Sequence, residues 1–381
     1  MDEIIYAYVD SIEAPASEGS GRRTNVVLDA ISARRLESGA PLTESAEGLS
    51  VVRVMSTQLR LAQIGAVPLV EGEWYRVALG GDGNQPIAWS AAAEREYKQG
   101  ERTNVRDITR LSTAPGSFEV QAKLEELCDV RPRRRPRNSP MPSFLGSRKP
   151  KRVRVLDVGH ASCSAIHDED GLVMGYFDVG GPVFFHHRTF PSQFAEAMNA
   201  QAAKFVVLSH WDFDHYSLAL TKLPELLKLR WYAPIQKVGP NAARLQRLLG
   251  SRLEFLASSQ FKLNDDLMLV RGGGKDRNNS GYAMRVRAGR DRILLPADAN
   301  YDLLPLRSKS RLTGLCITHH GGAGAGSPPA AHGTRRTAAV SYGNPNRYRH
   351  PNPAAIAAHK ASGWTVAPTV NTPLRGDVWL P

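Results

Sequence analysis

Apolar residues along this chain fall in short runs set off by Gly, Pro and Ser, and the runs change character partway along. Over the first 130 residues they are rich in β-branched and aromatic side chains: IIYAYV (4–9), TNVVLDAI (24–31), VVRVMSTQLRLAQI (51–64) and EWYRVAL (73–79). Such runs predict strands. A helix is predicted near 118–128, where Phe118, Val120, Leu124 and Leu127 recur at helical spacing. Together these predict a mostly-β accessory domain, a small barrel or sandwich with an OB-like barrel among the alternatives. From residue 153 onward, strand runs alternate with helical ones. Strands are predicted at 153–158, 171–179, 204–209, 267–272, 282–288, 292–297, 314–318 and 338–342. Helices are predicted at 191–202, 217–229, 240–250, 300–308 and 353–361. Alternation of this kind predicts an α/β domain with helices covering sheets. No apolar run approaches the ~18 residues a membrane-spanning helix needs, so no membrane partner is expected.

Charge divides the chain more sharply. The whole carries +12. Residues 1–130 hold 13 Lys/Arg against 20 Asp/Glu, a net of −7; residues 131–154 hold ten basic residues and no acid; residues 155–381 hold 26 against 17, a net of +9. The basic strap RPRRRPRNSPMPSFLGSRKPKRVR contains five prolines and almost nothing apolar before Val153. It has too little to bury to order itself and is predicted to be a linker over 131–152, between domains at 1–130 and 153–381. It serves either as a solvated spacer or as a phosphate-backbone contact through Arg131, Arg133, Arg134, Arg135, Arg137, Lys149, Lys151 and Arg152, since clustered cations release counterions from a polyanion. The acidic front domain is a poor nucleic-acid surface and is read as a docking site for a protein partner. Three cysteines, Cys128, Cys163 and Cys316, are too few for a disulfide framework. The start MDEIIYAYVD has no basic region before its apolar run, so a cytoplasmic location is expected.

The densest chemistry is Ser209-His210-Trp211-Asp212-Phe213-Asp214-His215, after an apolar strand and before a predicted helix. His210, Asp212, Asp214 and His215 give mixed nitrogen and oxygen donors suited to one or two divalent ions, Zn²⁺ or Mn²⁺. Such ions acidify water and thereby support hydrolysis at neutral pH. Trp211 is expected to pack, not to stack on a base.

Here the sequence resembles the metallo-β-lactamase superfamily, whose pattern is His-x-His-x-Asp-His, with Asp212 at the second His. Asp157 in LDVGHASC and Asp178 in YFDVGG match supporting aspartates behind the ligand loop. Asp298 in LLPADA matches a bridging metal ligand, and His319-His320 in ITHHGG matches the late histidine motif. SYGNPNRYRHP (341–351) matches a C-terminal signature. This last motif, the double histidine and the Asp substitution look most like the soluble hydrolase domain of ComEC-type competence proteins. The resemblance covers about 153–381 and implies a four-layer αββα sandwich. It implies metal ligation by His210, Asp212, Asp214, His215, Asp298 and one of the paired histidines. His320 is taken as the ligand and His319 as a substrate-facing group; the reverse order is an alternative. Two departures stand out: residues 216–297 contain no histidine, with Asn278, Asn279 and Ser280 in the region of the third motif, and Leu218 replaces a usual glycine. The missing histidine, with Asp212 in place of another, makes the first metal position harder and weaker, and Leu218 alters the expected helix packing.

His350 is a candidate proton donor or phosphate grip. Tyr348 and Asn346 are candidate contacts to the scissile group, while His186 and His187 are expected on a surface turn. His160, Cys163 and Ser164 lie in the loop after the first strand, and Cys163 is not expected as a nucleophile. Three functions follow. The first is a metal-dependent phosphodiesterase acting on nucleic acid, DNA before RNA, with Asp214, His319 and His350 at the chemistry. The second is a hydrolase of a small phosphodiester, cyclic nucleotide or lactone. The third is a degenerate metal-binding partner protein without catalysis.

Overall fold

The computed structural model describes residues 3–13, 23–57, 61, 63–65, 68–81, 83, 85–92, 100–130, 148–182, 188–191, 198–344, 349–371 and 374–381. Arg131, Arg133, Arg134, Arg135, Arg137, His186, His187, Asn346 and Tyr348 lie outside these residues, as does 192–197 of the predicted 191–202 helix. The chain divides into two compact units, Met1–Arg131 with Lys237–Gly250, and Pro132–Gln236 with Ser251–Pro381.

The first unit is a closed antiparallel barrel of six strands, Glu3–Glu13, Arg23–Ser32, Leu49–Thr57, Ile87–Ala92, Glu101–Arg110 and Trp74–Leu79 in that order. Alternate residues fill its interior: Ile5, Ala7 and Val9 on one strand, Val26, Leu28 and Ala30 on the next, then Val52 and Val54. The predicted run 51–64 stops being strand at Thr57. Two strands, Ile87–Ala92 and Glu101–Arg110, lie outside the predicted runs. Glu101–Arg110 is polar in sequence and fully buries only Val105 and Ile108. The helix Phe118–Cys128 forms as predicted, but of the four residues that suggested it only Leu124 is buried, and Phe118 is 83% exposed. The predicted 240–250 helix forms as Pro240–Leu249 and groups with this unit. Asp29 of the barrel accepts from the Asn241 backbone N–H at 3.0 Å and its Nδ2 at 2.6 Å, placing a carboxylate at the helix N-terminus.

The second unit is a sandwich of two seven-stranded sheets. One runs Leu253–Leu256, Arg230–Pro234, Phe205–Val207, Val173–Val179, Cys163–Asp168, Pro150–Val155, Val378–Leu380; the other Gln260–Lys262, Leu267–Arg271, Tyr282–Ala288, Asp291–Leu295, Gly314–Cys316, Thr337–Val340, Thr365–Pro368. Their facing sides share one core, with Val155, Ile166, Phe177, Phe205 and Val207 against Leu269, Met284, Val286, Ile293 and Leu295. The outer side of the second sheet buries Leu294, Leu315, Ala338 and Trp364, with Ile356 of the helix Pro353–Ala361 packed on them. The short helix Phe213–Tyr216 lies against Val173–Val179 of the first sheet. The layers are therefore αββα, with a mostly-β accessory unit. The predicted helices at 217–229 and 300–308 form only 3-10 turns, Ser217–Ala219, Pro224–Lys228, Tyr301–Leu303 and Leu306–Lys309. Pro224 and Pro305 interrupt both runs, and proline cannot donate within a continuous helix. Among the described residues no helix is long and apolar enough to cross a membrane.

Candidate metal centre

The site gathers where parallel strands end. Val173–Val179 pairs parallel with Phe205–Val207, and Asp291–Leu295, Gly314–Cys316 and Thr337–Val340 form a second parallel set. The loops after these strands carry Ser209–His215, Asp298, His319–His320 and His350. Loops at the carboxyl ends of parallel strands are where α/β sheets hold ligands.

Among the described residues, two groups of ligand atoms come within metal-binding reach: His210, His215 and Asp298, and Asp214, His215 and His320. His215 Nε2 lies 3.5 Å from Asp298 Oδ1 and 3.9 Å from Asp214 Oδ1, and His320 Nε2 lies 3.4 Å from Asp214 Oδ2. The Nε2 atoms of His210, His215 and His320 are buried and have no hydrogen-bond partner. A buried polar atom without a partner is costly, so three converging on two carboxylates point to an occupant.

Each ring is held through its other nitrogen. His215 Nδ1 donates to Asp178 Oδ2 at 2.9 Å, and His320 Nδ1 donates to the Ser341 carbonyl at 2.8 Å. The Ser209 hydroxyl donates to Asp178 Oδ2 at 2.9 Å, which leaves its oxygen to accept from His210 Nδ1, also at 2.9 Å. In all three rings Nδ1 is the nitrogen held by the protein, so Nε2 is the one left to meet a metal once it carries no proton. Asp178, fully buried, also accepts from the Ser209 backbone N–H at 2.8 Å and from Ser162 Oγ at 3.3 Å.

Electrostatics follow from this packing. Burial works against a charged His215, but Asp298, Asp178 and Asp214 outweigh it and raise its pKa well above the usual imidazole range. His320 behaves alike: burial opposes its charge, and the nearby Asp214 and Asp298 carboxylates raise its pKa. Asp298 is held well below the carboxylate range, burial being overcome by His215 and His319.

Asp212 is placed differently from the other sequence candidates. It stands outside both metal-capable groups; its Oδ1 pairs with Arg277 Nη1 at 2.7 Å and its Oδ2 lies 3.3 Å from His210 Nε2. Burial raises the Asp212 pKa, but His210 and Arg277 more than reverse this and lower it. His319 is half-buried, outside both groups, with its ring 5.6 Å from that of His350. His160 lies 4.7 Å from His320 and 5.5 Å from His350, ring to ring. Asp157 sits one layer back: it accepts from Gly159 N and Gly376 N, both at 3.2 Å, and so ties the loop after the first strand to the C-terminal strand. Cys163 and Ser164 are buried in a strand, and Trp211 is buried with its Nε1 donating to the Pro234 carbonyl. Where Leu218 replaces glycine the chain runs as a 3-10 turn, and Ser217 Oγ both accepts from Gly181 N and donates to Gly181 O.

Ser209, Ser162, Ser341 and Arg277 carried no assigned role in the sequence. Arg277 had a usable signal: replacing a ligand histidine with Asp212 adds a buried negative charge, which calls for a cation nearby. Backbone strain marks the same place. Among the described residues, the non-glycines at positive φ are Asp178, Ala297, Arg311, His319, His320 and Arg349, and all but Arg311 carry, adjoin or support site residues. Glycine is required where the loops press together: a Cβ on Gly180 would lie 1.6 Å from the Asp214 carbonyl oxygen.

Of the strap cations, Lys149, Lys151 and Arg152 are exposed at the start of the first strand, and the Arg152 guanidinium lies 3.8 Å over the half-exposed Trp379 ring.

No family model and no curated protein matches this sequence. Solved structures that align with this chain include the metallo-β-lactamase fold protein YhfI from Bacillus subtilis (14% identity, 60% of this chain and 98% of that one, TM-score 0.36). The diiron β-hydroxylase CmlA from Streptomyces venezuelae aligns over 94% of this chain and 75% of its own at 13% identity and TM-score 0.36. A long-form RNase Z from yeast aligns over 77% of this chain and 49% of its own at 12% identity and TM-score 0.33. The two paired seven-stranded sheets give the second unit its αββα sandwich, with the candidate site at their strand ends.

Proposed function

We propose that this chain is a metal-dependent hydrolase of phosphodiesters in nucleic acid, DNA before RNA. The carrying observation is the set of three partnerless Nε2 atoms facing Asp214 and Asp298. A divalent ion, Zn²⁺ or Mn²⁺, held there supplies a Lewis acid that acidifies water and draws charge from a phosphoryl oxygen. Asp214, His215, Asp298 and His320 hold it, and Asp178 and Ser341 fix the rings of His215 and His320. Asp214 has 21% of its side chain exposed, against 8% for Asp298, and so faces the approach to the site. His319 and His350, half-buried with their rings 5.6 Å apart, are the side chains assigned to hold a phosphate and pass a proton to the leaving oxygen. Lys149, Lys151 and Arg152 supply phosphate contacts on the surface. The acidic barrel unit is the part of the chain suited to a protein partner, and the cytoplasm is the compartment the cysteine content favours.

The test is a digest of single- and double-stranded DNA and RNA, and of a small phosphodiester, with Mn²⁺, Zn²⁺ or Mg²⁺. Cleavage of polymer by wild type and none by the Asp214→Ala/His215→Ala double variant is expected. Cleavage of the small ester alone would move the substrate to a small molecule; no cleavage of either would overturn the proposal.

A further inference from the structure

We infer that the centre holds one divalent cation, not a pair, and that Arg277 stands as a built-in positive charge at the second position. This rests on the reading above that the centre binds a divalent metal, and it specifies how many.

The count follows from lone pairs. His215 belongs to both metal-capable groups. Its Nδ1 carries a proton donated to Asp178, so Nε2 is the one atom it has to give. A cation bound through Asp214, His215 and His320 thus removes His215 from the other group. Asp298 Oδ1 lies 3.5 Å from His215 Nε2 and groups with His210 and His215, so it stands between the two positions. One position then has two imidazoles and the Asp214 carboxylate, with Asp298 beside it. The other keeps His210 and whatever Asp298 can share.

Asp212 is the residue that would complete that second position, and it is engaged. One oxygen is 2.7 Å from Arg277 Nη1 and the other is 3.3 Å from His210 Nε2. Arg277 also donates to the Trp211 carbonyl at 3.3 Å, so it grips the backbone and the side chain of one loop. The pair is closed off, with 11% of the Arg277 side chain and 9% of the Asp212 side chain exposed. A second divalent ion would have to break a shielded ion pair or bind beside a fixed like charge. One divalent cation with Arg277 already nearly balances the four carboxylates Asp178, Asp212, Asp214 and Asp298. The segment that lacks a ligand histidine is thus the one that supplies the compensating arginine.

The experiment counts metal. Protein purified without chelator is titrated with Mn²⁺, bound metal is measured by elemental analysis, and the Mn²⁺ spectrum is read by electron paramagnetic resonance. Wild type is expected to bind one equivalent with the spectrum of an isolated ion, any second equivalent being at least ~100-fold weaker. Arg277→Met is expected to free Asp212 and gain a second equivalent with the spectrum of a coupled pair. Asp212→Asn, which keeps shape and needs no new packing, is expected to retain one equivalent at unchanged affinity. Two equivalents of similar affinity or a coupled spectrum in wild type would overturn the inference and leave the proposed function standing. Loss of the single equivalent in Asp212→Asn, or a folded Arg277→Met that still takes one, would also overturn it. No metal in wild type would overturn both.

Discussion

Asp178→Asn isolates how much the buried support contributes to metal affinity. The side chain sits at φ 57°, a conformation that Asn tolerates as well as Asp, so the backbone gives no reason for failure. Both carboxylate oxygens only accept: Oδ1 from the Ser209 backbone N–H, and Oδ2 from Ser209 Oγ, Ser162 Oγ and His215 Nδ1. An amide has one oxygen. The backbone N–H of Ser209 cannot turn away, so the amide oxygen goes there and the NH₂ faces His215 Nδ1. That ring must then accept at Nδ1 and carry its proton on Nε2, the atom that meets the metal. Binding requires reversing this arrangement at the cost of a charge-assisted hydrogen bond, about 1.5–3 kcal/mol. At about 1.4 kcal/mol per tenfold, affinity should fall roughly 10–100-fold, within the usual range for an outer-shell partner. Competition against a fluorescent chelator for Zn²⁺ or Mn²⁺ measures it, with thermal unfolding to confirm that the variant folds. Affinity equal to wild type in a folded variant would refute the tautomer argument.

Other outcomes follow from the same geometry. Metal affinity should rise with pH through the neutral range, because His215 and His320, both raised in the metal-free protein, must lose protons to bind. Calorimetry at pH 6 and 8 should show about tenfold per pH unit for each proton displaced, and a flat profile would contradict it. Gly180→Ala must push the Phe213–Tyr216 segment away, costing about 1–3 kcal/mol or more in unfolding and lowering metal content; unchanged metal content would show that the loop relaxes freely. Neutralising Lys149, Lys151 and Arg152 together should leave the melting temperature unchanged and reduce the salt slope of DNA binding by about one per charge; an unaltered slope would make them bystanders.

What the sequence made legible depended on whether polarity and burial agreed. Phe205–Val207, Leu267–Arg271 and Gly314–Cys316 are apolar and buried, so their runs announce them. Cys163–Asp168 is just as buried but spells CSAIHD. His167 meets the Gly171 carbonyl and Asp168 meets Arg148, so polar letters stand in the core once partnered. The site divides the same way. The six ligand-type residues were readable because they cluster by type after strands. The supporting serines were not, since their role lies in a partner across the fold. Asp212 shows the limit most clearly: its position in the motif suggests a ligand, and only the placement of Arg277, more than sixty residues later, gives it other work.

The strand lengths have a consequence for life in a crowded solution. A barrel closed on itself offers no free sheet edge. The sandwich has four, and each ends in a stub: Leu253–Leu256, Val378–Leu380, Gln260–Lys262 and Thr365–Pro368, none longer than four residues. Pro368 removes one donor from the last of these, and Arg152 covers the ring of Trp379 on another. Rims this short give neighbouring copies little to pair against, which disfavours edge-to-edge association of the sandwich.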